Sequence, residues 1–254
     1  MYAIIDADSI AFAITASMDR QMQDDPDKDY GEADLIDAVS NFLQNIEEDT
    51  ECDDYCMWLT GKHSFRKVLT ETYKANRKDI YRPPMLGQAR DVMVSHFGAL
   101  FAQEGFEADD EVGQVAQDYW DLGDEDECII CSIDKDLDTI PGWHYRWATH
   151  NRPAKVYFVC EEDARHFYWT QVLAGDPGDG IKGIPGIGPK KARAMLVSCD
   201  SEQDYYKACK ESYFVMLLGK MSEDEIDHYL HVTMELLRIG KEGRDHVYGF
   251  DGSA

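Results

Sequence analysis

Short apolar runs recur along the chain and are separated by longer stretches with helical spacing. Residues 2–6 (YAIID), 55–59 (YCMWL) and 128–133 (CIICSI) are typical of buried strands. Further strands are expected near residues 144–148 and 156–159. Strands that are apolar on both faces and alternate with helices predict an α/β fold with a mainly parallel central sheet.

Helical spacing of apolar residues predicts the elements between these strands. Helices are expected over residues 31–46, from about 88 to 103, and from Asp109 onward. After residue 161 the pattern becomes helical, including a segment near 205–218 and a helix introduced by the capping box Ser222-x-x-Glu225. Residues from Gly240 onward are expected to form a loose tail.

The segment 105–111 (GFEADDE) places several carboxylates between two apolar stretches. Asp109 and Asp110 open a helix, where one such residue could simply cap free N–H groups. Further acidic pairs make capping alone an insufficient explanation, because crowded carboxylates need cations. These pairs are Asp6 with Asp8, Asp134 with Asp136, and Asp176 with Asp179. Asp6 ends the first strand, whereas Asp8 suits a helix cap or an outer-shell role.

Composition limits the classes of protein that fit. The 254 residues can form one sizeable core or a core with a small appendage, and 50 Asp+Glu against 25 Lys+Arg give a formal charge of −25. This charge disfavours non-specific binding to nucleic acid or anionic membranes. Without a long apolar segment or signal peptide, a cytoplasmic protein is expected. Seven cysteines fit reduced thiols, and a zinc site at Cys128 and Cys131 is not expected.

Residues 62–82 are the basic exception in this acidic chain. Their Lys and Arg side chains suit phosphate contacts, and Tyr73 and Tyr81 could stack on bases. An ordinary solvated helix that stops at Pro83 and Pro84 is the alternative. The segment lies between a strand end and a helix, where binding elements are common, so we favour the functional interpretation.

A glycine-rich loop follows Asp176 and Asp179 and continues to a basic helix start. Residues 183–189 have the glycine spacing of a P-loop but carry Pro189 in place of its lysine. Gly186 and Gly188 expose backbone N–H groups, and Pro189 suits the first helical position. The lysines and arginine that follow would sharpen an anion site for a sugar-phosphate backbone.

In the order and spacing of these motifs, the sequence resembles the flap-endonuclease superfamily of 5′-nucleases, with the 5′-3′ exonucleases of T7-like bacteriophages as its nearest likeness. The motifs are IIDAD, FR followed by YKANR, EADD, SIDKD and GDPGDGIKGIPGIGPKKA. The resemblance implies a PIN-like 5′-nuclease domain over residues 1–165, with a basic arch or loop at about 62–86. It also implies a helix-three-turn-helix DNA-binding region over residues 166–254.

The same resemblance implies a function. Members hydrolyse phosphodiester bonds at or near DNA 5′ ends, here expected in phage DNA replication and processing, with two Mg²⁺ or Mn²⁺ ions and K⁺ in the helix-three-turn-helix loop. The expected partners are DNA with 5′ ends, flaps or nicks, with RNA–DNA hybrids as further substrates. The resemblance also leads us to expect a monomer in the bacterial host cytoplasm, without a membrane partner.

Individual roles follow from the resemblance, residue by residue. The expected metal ligands or outer-shell acids are Asp6, Glu107, Asp109, Asp110, Asp134, Asp136, Asp176 and Asp179. Lys74 and Arg77 would engage the scissile phosphate. The other expected DNA contacts are Arg66, Lys67, Tyr73, Lys78, Gly183, Gly186, Gly188, Lys190 and Lys191. Many relatives carry an Asp at the end of the second strand, which residues 59–63 lack, and Asp8 is the candidate to compensate.

Three other activities remain open. A structure-specific flap endonuclease, with or without RNase H-type activity, would use the same site. A nuclease-like protein could hold DNA without cutting it, because the second-strand Asp is missing. An RNA-cutting PIN toxin would share the acidic site but would not need the loop around Gly186 and Gly188.

Overall fold

The computed structural model describes residues 1–77 and 80–241, and within it the chain forms two compact units. The first unit comprises Met1–Ser64, Tyr81–Val159 and residues 239–241. The second comprises Phe65–Ile80 and Cys160–Arg238. The predicted basic segment therefore belongs mostly to the second unit, together with the C-terminal helices. The predicted boundary between residues 165 and 166 stays a prediction.

A six-stranded sheet forms the centre of the first unit. Its strands in chain order are β1 (Tyr2–Asp6), β2 (Asp54–Leu59), β3 (Leu100–Phe101), β4 (Cys128–Cys131), β5 (Gly142–Arg146) and β6 (Lys155–Val159). Their spatial order is β3-β2-β1-β4-β5-β6, and only the β5–β6 pair is antiparallel. The predicted α/β class and mainly parallel sheet are confirmed.

The helices follow the chain between and after these strands. They are α1 (Ala7–Asp24), α2 (Glu32–Thr50), α3 (Phe65–Leu69), α4 (Leu86–Phe97), α5 (Ala108–Leu122), α6 (Glu161–Ala174), α7 (Pro189–Met195), α8 (Glu202–Leu217) and α9 (Glu223–Leu237). In the first unit, α1, α2 and α4 bury apolar residues with one face of the sheet, and α5 packs with the other. Ile4 and Ile5, both fully buried on β1, belong to these two opposite clusters. The strand is therefore apolar on both faces, as its sequence predicts.

The predicted helix over residues 88–103 is too long. Helix α4 ends at Phe97 because Gly98 adopts a left-handed conformation with φ of 70°. Leu100 and Phe101 then form the edge strand β3, where each is about half exposed, at 53% and 52%. These two apolar residues are therefore not part of a buried helix.

Helices α6 to α9 build the core of the second unit. Trp169, Tyr205 and Tyr213 are among its buried residues, and the rings of Trp169 and Tyr205 are stacked. The short strands β7 (Gly175–Asp176) and β8 (Ile181–Lys182) pair at the start of the glycine-rich loop. The capping box of Ser222 and Glu225 is confirmed at the start of α9. The assignment of this unit as a helix-three-turn-helix module stays a prediction.

The first residues of the predicted loose tail are packed against α5, which corrects that expectation for Gly240 and Lys241. The backbone N–H of Gly240 donates to Asp110 at 3.3 Å, and the Lys241 ammonium pairs with Glu111 at 2.7 Å. Ile239 lies so close to Gly113 that a Cβ there would approach its Cγ2 to 2.7 Å. Residues 242–254 lie outside the described residues.

Two further expectations concern membranes and cysteines. Within residues 1–77 and 80–241, the helices are too short or too polar to cross a membrane. All seven cysteines are free thiols, as the sequence predicts, and both Cys128 and Cys131 are buried in β4.

Candidate active site

Asp6 is a buried acid at the carboxyl edge of the sheet. It ends β1, is 8% exposed and caps α1 by accepting the N–H of Asp8 at 3.2 Å. Its other oxygen accepts the hydroxyls of Ser9 at 2.7 Å and Ser132 at 2.9 Å. The pKa of Asp6 is raised to about 6, mainly by burial and also by the nearby carboxylates of Asp8 and Asp134, whereas the hydrogen bonds from Ser9 and Ser132 lower it. The site therefore has an excess of negative charge that a cation would offset.

Asp134 lies near enough to Asp6 to act on its pKa, because it follows β4, the parallel neighbour of β1, and Asp136 comes two residues later. The N–H of Asp134 donates to the Ser132 hydroxyl at 3.0 Å, so Ser132 links the two strand ends. Asp134 also caps the short 3₁₀ helix Lys135–Thr139 by accepting the N–H of Asp136 at 2.9 Å. The Asp136 carboxylate pairs with the ammonium of Lys135 at 2.7 Å.

The acids of EADD begin α5, as predicted. Glu107 and Asp110 form a capping box, in which Asp110 accepts the N–H of Glu107 at 3.0 Å and the Glu107 side chain accepts that of Asp110. They are 5% and 0% exposed. Asp109 lies beside them in the first turn. The capping alternative therefore applies to Glu107 and Asp110 rather than to Asp109, and the N-terminal end of the helix favours all these negative charges.

Thr60 stands at the end of β2, where the resemblance would place an aspartate. Its N–H donates to Asp8 at 2.8 Å, and its hydroxyl accepts the N–H of Ala108 at 3.0 Å. Arg90 of α4 pairs with Asp8 at 3.3 Å and donates to the carbonyl of Thr60. Asp8 is thus already paired with a cation, and Thr60 connects the start of α1 with the start of α5.

The remaining two predicted acids belong to the second unit. Asp176 on β7 is 7% exposed and accepts the N–H of Gly178 at 2.7 Å. Asp179 pairs with the ammonium of Lys74 at 3.7 Å and with the guanidinium of Arg77. Lys74 and Arg77, both predicted to bind phosphate, therefore form ion pairs with Asp179, which is itself a predicted metal ligand.

Backbone contacts fasten the basic segment to the glycine-rich loop. The N–H of Lys74 donates to the carbonyl of Asp179 at 2.7 Å, and the Asn76 amide donates to the carbonyls of Pro177 at 3.3 Å and Gly178 at 3.2 Å. Gly180 has a φ of 74°, and a Cβ there would lie 2.5 Å from the carbonyl oxygen of Thr72. Phosphate binding by Lys74 and Arg77 must therefore compete with Asp179.

Two predicted DNA contacts, Arg66 and Tyr73, are buried in this structure, and their roles toward DNA stay predictions. The guanidinium of Arg66 is 2% exposed and donates to the carbonyls of Leu236 at 2.9 Å and Arg238 at 2.7 Å. Tyr73 is 4% exposed, packs in the core of the second unit and donates its hydroxyl to Asp179 at 3.3 Å. Arg66 therefore holds the end of α9, and the Tyr73 ring presents no face to a base in this structure.

The remaining predicted DNA contacts are lysines on the surface and glycines of the glycine-rich loop. Lys67, Lys190 and Lys191 are exposed. Gly188 caps α7, with Pro189 at the helix start as predicted. A Cβ on Gly183 would lie 2.3 Å from the backbone N of Gly175, so a side chain has no room there. Their roles toward DNA stay predictions, and Lys78 lies outside the described residues.

In the part of the chain that the structure describes, no three His, Cys, Asp or Glu side chains are close enough together to bind one metal ion. The donor chemistry nevertheless fits a hard divalent cation, because the predicted ligands offer only carboxylate oxygens. The raised pKa of Asp6 agrees, since a cation would stabilise its ionised form.

A sequence profile of a known family covers most of the first unit. Its description is "5'-3' exonuclease, N-terminal resolvase-like domain", and it matches residues 1–156. The chain belongs to this 5′-3′ exonuclease family. Its membership confirms the predicted superfamily.

Individual relatives of this 5′-3′ exonuclease family member include both exonucleases and flap endonucleases. Flap endonuclease Xni of Shewanella piezotolerans is 26% identical over 73% of this chain and 79% of its own length. The exonuclease of Escherichia phage T7 is 33% identical over 51% of this chain and 43% of its own length. The chain thus spans less than half of that phage relative. Both kinds of relative are phosphodiester hydrolases, so the predicted enzyme class is confirmed for the family.

Solved structures support the fold of this family member across almost the whole chain. Bacteriophage T5 5′-exonuclease with divalent zinc ions bound has a TM-score of 0.58 at 17% identity, covering 94% of this chain and 100% of that one. The T5 D15 flap endonuclease in a pseudo-enzyme-product complex with DNA and metal ions also has a TM-score of 0.58, at 15% identity, covering 93% of this chain and 98% of that one.

Several contacts of the site were not predicted from the sequence. Ser9 and Ser132 orient Asp6, Asn76 anchors the basic segment, and Thr60 with Arg90 holds Asp8. Ser132 is the first residue of SIDKD and Asn76 lies within YKANR, so these motifs offered a signal for both. Arg90 offered no comparable signal, because its partner lies on a different element.

Proposed function

We propose that this protein is a divalent-metal-dependent nuclease that hydrolyses phosphodiester bonds at or near DNA 5′ ends, as a 5′-3′ exonuclease in phage DNA replication and processing. The observation that carries the proposal is the buried carboxylate of Asp6, whose pKa is raised to about 6 beside Asp8 and Asp134. These acids lie at the carboxyl ends of parallel strands, where α/β proteins commonly place their sites.

The candidate metal ligands are the predicted acids, considered separately for the two units. Asp6, Glu107, Asp109, Asp110, Asp134 and Asp136 are the candidates of the first unit, and Asp176 and Asp179 those of the second. When bound, two Mg²⁺ or Mn²⁺ ions supply activation of water and stabilisation of the leaving oxygen. Metal ions bound to the T5 5′-exonuclease support this part of the proposal.

The residues of the chain orient the acids and bind the phosphate. Ser9 and Ser132 fix both the position and the ionised form of Asp6 by donating to it. Lys74 and Arg77 are proposed to contact the phosphate of the scissile bond, where positive charge stabilises developing negative charge. Since both pair with Asp179 in this structure, a phosphodiester must displace that carboxylate.

DNA binding is proposed to involve the glycine-rich loop and the exposed lysines. Backbone N–H groups near Gly183, Gly186 and Gly188, with Lys190 and Lys191, suit sequence-independent phosphate contacts. Lys67 would add one contact from the basic segment. The DNA complex of the T5 flap endonuclease supports DNA as partner. Binding of K⁺ in the loop, action on RNA–DNA hybrids and a monomeric state complete the proposal.

Flap endonuclease activity is the second candidate. It is favoured by Xni, whose alignment covers 79% of that relative's length, against 43% for the phage T7 exonuclease. The two activities share their bond chemistry and differ in the DNA end that they accept. Substrate structure, rather than the acid set, must therefore distinguish them.

The test compares a duplex labelled at its 5′ end with a matched 5′ flap, each with Mg²⁺, Mn²⁺ or EDTA. Release of short labelled products from the duplex end supports the exonuclease, and faster cleavage at the flap junction supports the flap endonuclease. Binding of both DNAs without cleavage under either metal would contradict the proposal and favour a non-cutting binder. Independently of activity, Mg²⁺ is expected to raise the thermal midpoint by binding the folded acids.

A further inference from the structure

A cavity of about 620 Å³ lies in the first unit, at the end of the β5–β6 hairpin. Its lining includes Ile133 after β4, Arg146 at the end of β5 and Lys155 at the start of β6. Because β4 and β5 are parallel and β6 is antiparallel, these three positions lie at the same edge of the sheet. The cavity is therefore next to Asp134 along the chain but has a lining of its own.

The charge of this region is opposite to that of the whole protein. Residues 139–160 contain no Asp or Glu, although the chain has 50 acidic residues. Among the residues that the structure describes, the cavity lining carries the cations Arg146, Arg152 and Lys155 and no carboxylate. Arg146 pairs with Asp138 at 2.7 Å, whereas Arg152 and Lys155 are exposed. The lining therefore presents positive charge to a ligand.

Two of the lining residues carry a buried N–H group that lacks a hydrogen-bond acceptor among the described residues. The Nε of Arg146 and the Nε1 of Trp147 have no hydrogen-bond partner among the described residues. Trp147 is 6% exposed, so water does not readily satisfy its N–H. A buried donor without an acceptor is costly, so an acceptor oxygen that reached either group would offset that cost.

The walls also contain apolar surface, contributed by Ile133, Trp147, Pro153 and Ala154. Cations and N–H donors beside apolar surface suit a ligand that joins an anionic group to a flat apolar group. We propose that this cavity binds a nucleotide, with its phosphate on the cations and its base on the apolar wall. The ligand is either a free 5′-nucleotide or the terminal nucleotide of a strand. The site goes beyond the proposed function, because it requires neither metal nor cleavage.

Calorimetric titration in EDTA tests the proposal without hydrolysis. The wild-type protein is titrated with deoxyadenosine 5′-monophosphate, with deoxyadenosine and with inorganic phosphate. The nucleotide should bind about ten-fold or more tightly than either fragment, since a charge-assisted contact and the base contact both contribute. A short 5′-phosphorylated single strand is then added in competition. Displacement of the nucleotide assigns the site to strand ends, and absence of displacement assigns it to free nucleotide.

Matched double variants locate the site. Arg152→Gln with Lys155→Gln should weaken nucleotide binding about ten-fold or more, because both exposed cations of the lining are lost. Arg20→Gln with Lys28→Gln removes the same charge from exposed positions elsewhere in the first unit and should leave binding unchanged. Trp147→Phe should weaken binding by removing the N–H while retaining a ring. Equal binding by both double variants, or no binding of the nucleotide by the wild type, would overturn the proposal whether or not the protein cuts DNA.

Discussion

Arg66 and Lys67 are adjacent basic residues that have different surroundings in the structure. Both are predicted DNA contacts from the sequence, but Arg66 is 2% exposed whereas Lys67 is exposed. The Arg66 guanidinium donates to the carbonyls of Leu236 and Arg238 at 2.9 and 2.7 Å. These carbonyls lie at the C-terminal end of α9, where a cation is also favoured by the helix dipole. Arg66→Gln should therefore destabilise the fold.

The two hydrogen bonds set the expected magnitude. A hydrogen bond from a charged donor contributes about 1.5–3 kcal/mol, and loss of one partner leaves a buried acceptor unsatisfied. Glutamine keeps an amide that can replace one donor at most. We expect Arg66→Gln to lower the free energy of unfolding by roughly 3 kcal/mol. Lys67→Gln should change it by less than about 0.5 kcal/mol, as is usual for exposed substitutions.

Urea unfolding and salt-dependent DNA binding measure these roles separately. At a temperature where both variants are folded, Lys67→Gln should reduce the slope of log affinity against log salt by about one. Arg66→Gln should leave that slope unchanged. The reasoning would be refuted if Arg66→Gln were as stable as the wild type and reduced the salt slope as Lys67→Gln does.

Further predictions concern a crowded glycine, two thiols and a buried histidine. Gly183→Ala should lower the thermal midpoint because its Cβ would lie 2.3 Å from backbone atoms, whereas Gly87→Ala in open space on α4 should not; equal midpoints would contradict this. Burial raises the pKa of the Cys131 thiol, whereas Cys160 is exposed. Alkylation at pH 8 followed by peptide mass mapping should therefore show that Cys160 is modified before Cys131. Equal rates of modification at the two thiols would contradict this prediction. Burial lowers the pKa of His144 below its ordinary value of 6.5, so the unfolded chain binds the proton first and stability falls as pH drops through that value. The free energy of unfolding of His144→Gln should consequently decline less between about pH 7 and 5 than that of the wild type, and parallel profiles would count against this cause.

The sequence pattern predicted the strands that consist of a short continuous run of apolar residues. Strands β1, β2 and β4 are short apolar runs. A helix was expected near Asp8, but the extent of α1 was not predicted, because small and polar residues dilute its apolar positions and Phe12 on it is 42% exposed. The helix before β3 was extended too far, because apolar residues at a half-exposed sheet edge resemble the end of a buried helix.

The sequence predicted those site residues that are acidic and stand at or just after the end of a predicted strand. Asp6 ends β1 and Asp134 follows the end of the parallel strand β4, and the carboxyl ends of neighbouring parallel strands lie at one edge of the sheet. The role of Arg66 could not be predicted, since its partner Leu236 comes 170 residues later. The sequence shows that residues 139–160 contain no Asp or Glu. The cavity that these residues line could not be predicted, because it depends on the geometry of the β5–β6 hairpin.

The most direct test of the account is single-turnover release of a 5′-terminal label from duplex DNA by the wild type, Asp134→Ala and Asp37→Ala. Asp37 is an exposed carboxylate on α2 and controls for the loss of one negative charge. The account predicts release with Mg²⁺ and none with EDTA, a rate at least about 100-fold lower for Asp134→Ala, and an unchanged rate for Asp37→Ala. Release in EDTA, or equal rates for Asp134→Ala and the wild type in Mg²⁺, would contradict a metal-dependent nuclease at this edge of the sheet.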